Sequence, residues 1–487
     1  MKRFLFVSVT FFAFCNLNAR LLSLNEAIEI AKSSSYSAQM ANLSLMSRYW
    51  SYRSYKAQWL PSLNLSGSLM NYNRSIVEAR DYETGRLSYV ENNSLSNSIR
   101  LSVNQNLPWA DGTLSLQSNL SRLDQFNYNL QTYNSMPLLL SYNQPLRRYS
   151  SLKWQKKSEP LQYEESKRSY IETMQSITIT VTSLYFSALS AQADYKQSVA
   201  KHKDLNELYK KTMKKLDLGL VMKSEILQLE LSLLRAEMGI STSRLTMENA
   251  LFNLFSYLHI SDYDDIVLAA PANLPNLNIS VGDVIEKAYS NSAHSISQQI
   301  SLLNAERNLA QTKAYNGLQV SLQAQIGLTQ SADDFRGAYT RLKDNEVVGI
   351  TFSLPVYDWG IGRGRTHIAK AELELVRTQI RQSNMEFEQD IRTKVMVFNS
   401  QSEQCKISRR ALEIAEENYL MAYKRYENGT MTITDLNIAN SDLENAQSQY
   451  LSQLYSFWSN YYSIQRLTLY DYIRNEKIYC DFDRIVK

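Results

Sequence analysis

Leu22-Ser23-Leu24-Asn25-Glu26-Ala27-Ile28-Glu29-Ile30-Ala31 is matched further along the chain by Ile279-Ser280-Val281-Gly282-Asp283-Val284-Ile285-Glu286-Lys287-Ala288. The match runs without a gap from Leu22–Leu65 onto Ile279–Leu322, setting Ser33 on Ser290, Lys56 on Lys313 and Ala57 on Ala314. A second gapless match sets Pro145 on Pro355, Lys214 on Lys424, Lys215 on Arg425, Gly219 on Gly429, Glu225 on Asp435, Leu233 on Leu443 and Ala236 on Ala446. One supersecondary plan is used twice, so the fold is expected to be pseudo-symmetric. The two matches differ in register by about 47 residues, so the first half carries an insertion between its first strand and Pro145.

Within 487 residues there are only 14 Gly and 8 Pro, unevenly placed. None occurs from Leu161 to Leu218, from Arg365 to Asn428, or from Thr430 to the C-terminus, and continuous helix is the economical reading of all three stretches. A stretch of about 60 helical residues is on the order of 90 Å long, about three times the hydrocarbon thickness of a bilayer. Leu, Ile, Val, Tyr and Met recur along these stretches without a sustained strict heptad, which argues against simple two-stranded coiling.

Where Gly and Pro do cluster, the pattern changes to period two. Leu63, Leu65, Gly67 and Leu69 alternate with Ser62, Asn64, Ser66 and Ser68, and Ile99, Leu101 and Val103 alternate with Ser98, Arg100, Ser102 and Asn104. Leu114–Leu120, Leu138–Tyr142, Leu318–Leu328 and Val348–Leu354 are further candidate strands, each with one apolar face. A half-buried soluble sheet and a membrane barrel share this alternation. Each half therefore reads as helix, strands, very long helix, a glycine-centred turn at Gly219 or Gly429, and a returning helix. The seam falls near Ala269–Pro275, both turns are expected at one end of the rods and the strands at the other.

Met1-Lys2-Arg3 followed by an apolar run from Phe4 to Phe14 reads as an export signal cleaved after Ala19, too short to span a membrane. Cys15 within it leaves lipidation as a second reading. Cys405 and Cys480 lie far apart and imply no disulfide framework. The balance of 52 Lys and Arg against 48 Asp and Glu, interspersed in sign, gives +4 and no signature of a nucleic-acid partner. His202, His259, His294 and His367 are scattered, with no second ligand at metal spacing. Gly360-Ile361-Gly362-Arg363-Gly364 lacks the glycine spacing and lysine of a phosphate loop and reads as an elbow between strand and helix. No catalytic residue, cofactor or metal site is expected, and the chain does not read as an enzyme.

Several ordered segments resemble the TolC-like outer-membrane efflux protein family. Leu22–Ala31 resembles its N-terminal helix, Ala57-Gln58-Trp59-Leu60-Pro61-Ser62-Leu63-Asn64-Leu65 its helix-to-strand junction, and Leu354-Pro355-Val356-Tyr357-Asp358-Trp359-Gly360 its strand-to-long-helix junction, with Gln144-Pro145-Leu146 as the first-half counterpart. The resemblance implies a mainly α fold with membrane β structure: two pseudo-repeats whose long antiparallel helical hairpins build a tunnel and whose strands enter a shared trimeric outer-membrane β-barrel. A barrel needs about eight strands, more than one chain offers, so sharing is also what the physics of an open edge in lipid demands. The expected division is 1–19 signal peptide, 20–270 first repeat, 271–475 second repeat and 476–487 tail. The inserted strands either widen the barrel or form an external lid.

By the same resemblance the chain is a passive exit duct for efflux or type I secretion, with a non-conducting envelope scaffold or adhesin built on long helices as the alternative. Its implied partners are two further copies, outer-membrane lipid, and a periplasmic adaptor leading to an inner-membrane pump. Asp435 matches a position of the family's acidic ring at the closed entrance, and Glu225 is its first-half counterpart; the second acidic position is Ile438 here. Both carboxylates equally suit the first turn of a helix, where the dipole favours negative charge. Tyr426 matches a residue that links neighbouring coils by bonding to the acid at Glu225, while Met431 replaces the family's arginine partner. Leu218, Gly219, Leu220, Asn428, Gly429 and Thr430 resemble the tips that meet the adaptor's helical hairpin.

Overall fold

A computed structural model describes residues 20–80, 85–217, 221–261, 266–271 and 274–486; the export signal lies outside the described residues. In chain order the elements are β1 (Arg20–Leu22), α1 (Leu24–Ser34), α2 (Tyr36–Ala57), β2 (Ser62–Arg80), β3 (Leu87–Asn106), β4 (Thr113–Gln125), β5 (Leu130–Arg147), α3 (Ser151–Asp217) and α4 (Lys223–Leu258). Then follow β6 (Ile266–Leu268), α5 (Val281–Asn291), α6 (Ala293–Tyr315), β7 (Gln319–Ala332), β8 (Lys343–Ser353), α7 (Ile361–Glu427), α8 (Ile433–Thr468), β9 (Tyr470–Asp471), β10 (Glu476–Lys477) and α9 (Phe482–Val486).

The duplication is literal in the helices. α3 and α7 have 67 residues each, α4 and α8 have 36 each, and α1 and α5 have 11 each. Even their ends agree, since α4 and α8 both stop on a left-handed residue, His259 and Leu469. Two compact units draw on both repeats. One comprises the described residues up to 44, 168–292 and 386 onward; the other comprises 45–167 and 293–385.

In the first unit, β1 pairs in parallel with β6, tying the start of the described chain to the seam. The buried Tyr185 hydroxyl lies 2.8 Å from the Leu22 carbonyl and 2.7 Å from that of Ala269, and burial pushes its pKa up to about 12. Around it pack Leu254, Phe255, Phe398, Phe457 and Tyr461. Each such apolar side chain stabilises by about 1.5–3 kcal/mol when fully buried. The Cys405 thiol, buried among them, is pushed up to about 11.

Along α7 a regular 4–3 alternation runs through Gln401, Cys405, Ser408, Leu412, Ala415, Tyr419, Ala422 and Tyr426, all buried or half-buried. The heptad absent from the hydrophobic pattern is therefore present in the packing. Gln401, whose amide donates to Gln453 at 2.6 Å, and the small Ser408 and Ala422 occupy seam positions that hydropathy does not register. On α4, Ile226, Leu229, Leu233 and Ala236 face inward while Leu227, Leu231, Leu234 and Met238 form a second, exposed stripe in the same spacing. Superimposed, the two stripes look aperiodic.

Two helix boundaries differ from the sequence expectation. α3 starts at Ser151 rather than after Pro160, because proline is the only break in an otherwise helical run and the Ser150 hydroxyl accepts from the Lys153 N–H at 3.1 Å. α8 ends at Thr468 rather than continuing to the C-terminus. Leu469 turns left-handed, and Asp471 accepts from the backbone of Ile473 at 2.9 Å and Arg474 at 3.1 Å, closing a turn into the antiparallel pair β9–β10.

The second unit is built on one sheet in the order β2-β3-β4-β5-β7-β8, every neighbour antiparallel. The expected strands are all present and most are longer than expected. β2, for example, runs on from Leu69 to Arg80, where Asn71, Asn73 and Arg74 end the apolar alternation. The hydropathy pattern reports only the part of a strand that has an apolar face. β5 carries register shifts at Ser135/Leu138, across Pro137, and at Pro145/Arg147, directly after Pro145; neither proline has an N–H to give the ladder. At Gly327 a Cβ would lie 2.4 Å from the Leu138 carbonyl, so the β5–β7 approach requires glycine there.

The sheet has two unlike faces. Leu63, Val103, Leu116, Leu140 and Ile326 are register partners across five strands, flanked on the same face by Leu65, Leu101, Leu322, Ile350 and Phe352. The opposite face carries the row Asn64, Ser102, Gln117, Leu139, Gly327 and Asn345 and is mostly Ser, Asn and Gln. Most of the apolar row is exposed, Leu63 at 68% and Phe352 at 73%. Aromatic residues gather at both strand ends. Trp109, Tyr357 and Trp359 are exposed at one, and the pairs Tyr72–Phe126 and Tyr133–Phe335 lie toward the other. Among the described residues no helix is long and apolar enough to cross a membrane.

Candidate functional site at the helix tips

The ends of α3 and α7 and the starts of α4 and α8 lie in the first unit and share an apolar cluster of Leu205, Leu208, Leu229, Tyr426, Ile433 and Leu436. In the second hairpin the reversal is carried by Gly429, at φ +73°. Its N–H reaches the Tyr426 carbonyl at 2.9 Å, and the Thr430 N–H reaches that of Arg425 at 3.0 Å. Only a residue without Cβ takes that backbone conformation freely. Asn428, Gly429 and Thr430 are exposed; Leu218, Gly219 and Leu220 lie outside the described residues.

Glu225 and Asp435 both occupy the third position of their returning helices. They are not equivalent in bonding. Asp435 forms a reciprocal cap with Thr432, accepting from its hydroxyl at 2.7 Å while its own N–H donates to Thr432 Oγ1 at 3.2 Å. Glu225 belongs to a helix whose N-cap is Met222, which offers no side-chain acceptor. Tyr426 is buried, and among the described residues its hydroxyl makes no hydrogen bond of ordinary geometry. Burial pushes its pKa up to about 12, with Thr212 and Glu225 as the nearest polar influences. Met431 packs on the edge of the apolar cluster.

Three links not anticipated from the sequence join the first hairpin to the second. Tyr419 donates to Asp204 at 2.8 Å, Lys211 meets Glu427 at 2.6 Å, and Lys201 meets Glu444 at 3.0 Å. Burial and the Asp204 acceptor raise the Tyr419 pKa, and its hydrogen-bonded partner Lys211 lowers that of Glu427. Lys215 adds a bond to the Glu427 carbonyl at 2.7 Å, and Asn437 one to Ser232 at 3.3 Å. Partners separated by more than 200 residues leave no local signal, although acid and base facing each other across equivalent seam positions of the two repeats would have suggested them. Among the described residues no group of three His, Cys, Asp or Glu is placed to hold a metal ion.

The elbow at Gly360–Gly364 is likewise occupied by the chain itself. Asp358 accepts from the N–H groups of Gly362 at 2.6 Å and Gly360 at 3.0 Å, and these hold its carboxyl below the usual range. The start of α7 is thus capped by an internal carboxylate.

Residues 284–468, within the second repeat, match the family described as outer membrane efflux protein. The match spans most of the second repeat, whose long hairpin helices equal those of the first in length. The outer membrane channel CmeC of Campylobacter jejuni superposes with a TM-score of 0.67 at 15% identity, covering 95% of this chain and 88% of that one. VceC of Vibrio cholerae gives 0.64 at 16%, covering 91% and 95%, and the open state of MtrE of Neisseria gonorrhoeae gives 0.60 at 14%, covering 91% and 88%. These likenesses establish the fold, a helical tunnel unit with a membrane sheet. No curated protein sequence matches the chain.

Proposed function

We propose that the chain is the outer-membrane exit duct of a tripartite efflux system, a passive conduit made of three copies that receives substrate from an inner-membrane pump through a periplasmic adaptor. The observation that carries this reading is the sheet: one face apolar, the other polar, with β2 and β8 unpaired at its edges among the described residues, in a chain that also carries two long helical hairpins. An open edge in hydrocarbon costs several kcal/mol for each unsatisfied backbone group, so β2 and β8 require neighbours, which identical copies supply. The exposed stripe on α4 from Leu227 to Met238, with Ile407, Ile414 and Met421 exposed at seven-residue spacing on α7, gives the hairpins apolar faces for the same neighbours.

In this reading the divisions 20–270 and 271–475 are the two pseudo-equivalent walls and 476–487 is a tail. The constriction is built from the tips, with Glu225, Asp435 and Tyr426 near the entrance. Tyr419–Asp204 and Lys211–Glu427 hold the two hairpins together, and opening breaks these links. Leu218–Leu220 and Asn428–Thr430 receive the adaptor. Purified in detergent, the protein is expected to be a homotrimer by native mass spectrometry and to aggregate when detergent is removed; a stable water-soluble monomer would overturn the reading.

A further inference from the structure

We infer that the inserted hairpin β3–β4 is part of the barrel wall, so that three copies enclose an eighteen-stranded, porin-wide lumen; this rests on the trimeric reading above. A unit patterned on the second repeat, which contributes only β7 and β8, would give four strands per chain and twelve in all. The first repeat instead contributes β2, β3, β4 and β5.

Two observations separate wall from lid, and a third permits the wider ring to close. The first is hydrogen bonding. β3 pairs with β2 from Ser62↔Asn104 to Arg80↔Leu87 with one register shift, and β4 is bonded to β3 from Thr113 to Gln125 and to β5 over the same span but for a shift at Ser118. A lid would leave β2 bonded directly to β5. The second is the face pattern. Ile99, Leu101 and Val103 on β3 and Leu114, Leu116 and Leu120 on β4 continue the apolar face, while Ser98, Arg100, Ser102, Gln117, Asn119 and Ser121 continue the polar one. A hairpin standing in water has no use for a continuous apolar face in register with its neighbours, whereas a wall strand needs one toward lipid and a polar one toward the lumen. Closure is permitted by parity. Two added strands preserve the antiparallel alternation, so β8 of one copy still runs antiparallel to β2 of the next and the ring closes.

Closure fixes the size. Strands about 4.8 Å apart, tilted by about 40°, give a backbone diameter of about 24 Å for twelve strands and about 36 Å for eighteen. At the larger size the inner side chains leave an open aqueous channel, as in porins of comparable strand number. The barrel then imposes no narrow limit on cargo, and the discrimination falls to the helix tips.

Cryo-electron microscopy of the detergent-solubilised full chain, with copy number fixed by native mass spectrometry, decides it. Three copies with eighteen strands and a diameter of about 36 Å are expected. Three copies with twelve strands, and β3–β4 folded outside the ring, would overturn the inference and leave the trimeric duct standing. Another copy number would overturn both. Single-cysteine variants in liposomes read the same question without an image. Ser102→Cys should react with a bulky aqueous maleimide, and Leu101→Cys should be shielded from it and reached by a lipid-borne quencher acting on a small attached fluorophore. Equal aqueous reactivity at both positions would contradict a wall.

Discussion

The two repeats agree in the lengths of their hairpin helices and part company in their strands. α3 and α4 have the lengths of α7 and α8, while one repeat sends four strands into the sheet and the other two. The difference follows from how each region is held. A hairpin in the helical unit packs its seam against other seams in a fixed 4–3 spacing, so an inserted residue rotates everything beyond it out of register. An antiparallel sheet accepts a whole hairpin at no cost to direction or face, because every strand meets only its two neighbours. The starts of the two returning helices differ in side chains, as Thr432–Asp435 opposite Met222–Glu225 illustrates.

The largest expected effect comes from inverting the sheet's faces. Leu116→Arg, on the apolar face, should cost about 2–4 kcal/mol per copy if it lies near the bilayer midplane. Gln117→Arg, one residue on and facing the opposite way, should be close to neutral. Urea unfolding in lipid vesicles measures both; equal costs would mean the faces are misassigned.

Next in size is the coupling of the two hairpins. Tyr419→Phe removes the bond to Asp204 and should raise single-channel conductance, more so when combined with Glu427→Gln, which weakens the pairing with Lys211. Tyr426→Phe should raise it less, because among the described residues the Tyr426 hydroxyl makes no hydrogen bond of ordinary geometry. The reverse order would point to Tyr426 bonding a neighbouring copy. A smaller contrast separates the two tips. Thr432→Ala should destabilise by about 1 kcal/mol through loss of the cap, while Met222→Ala, which removes no side-chain bond, should not. Thermal melts of the two variants would show whether the repeats differ there.

The smallest effect concerns pH at the α7 elbow. The folded pKa of Asp358 is depressed, so its contribution is complete above the unfolded value of about 4 and is lost as pH falls through the folded one. Asp358→Asn should therefore be less stable than the parent at neutral pH and approach it on acidification. A difference constant from pH 7 to pH 2 would count against the carboxylate as the cap.

Much of this architecture was legible before any coordinates, because Gly and Pro punctuate long helices and alternation marks strands with one lipid-like face. The Leu22–Leu65 match fixed α1, α2 and the start of β2 against α5, α6 and β7. Legibility failed where polarity replaced hydrophobicity in a structural role. The distal part of β2 is a strand without an apolar face, and Gln401 and Ser408 are seam residues of α7 that hydropathy counts as surface. Pro160 misplaced a boundary because one proline inside a very long helix costs less than the packing around it returns. Gly219 lies outside the described residues, while at the tips Gly429 and the two acids at the starts of the returning helices were readable from their spacing. Tyr419–Asp204 and Lys211–Glu427 were not, since their chemistry exists only once the repeats are brought side by side.

Current through a planar bilayer carrying the purified protein tests the central claim most directly. The wild type should give small, discrete steps, and the Tyr419→Phe, Glu427→Gln double variant should give larger steps of the same ion preference, because the tips limit flow and the barrel does not. Correctly inserted trimers that carry no current in either form would contradict a through-channel and leave a scaffold in its place.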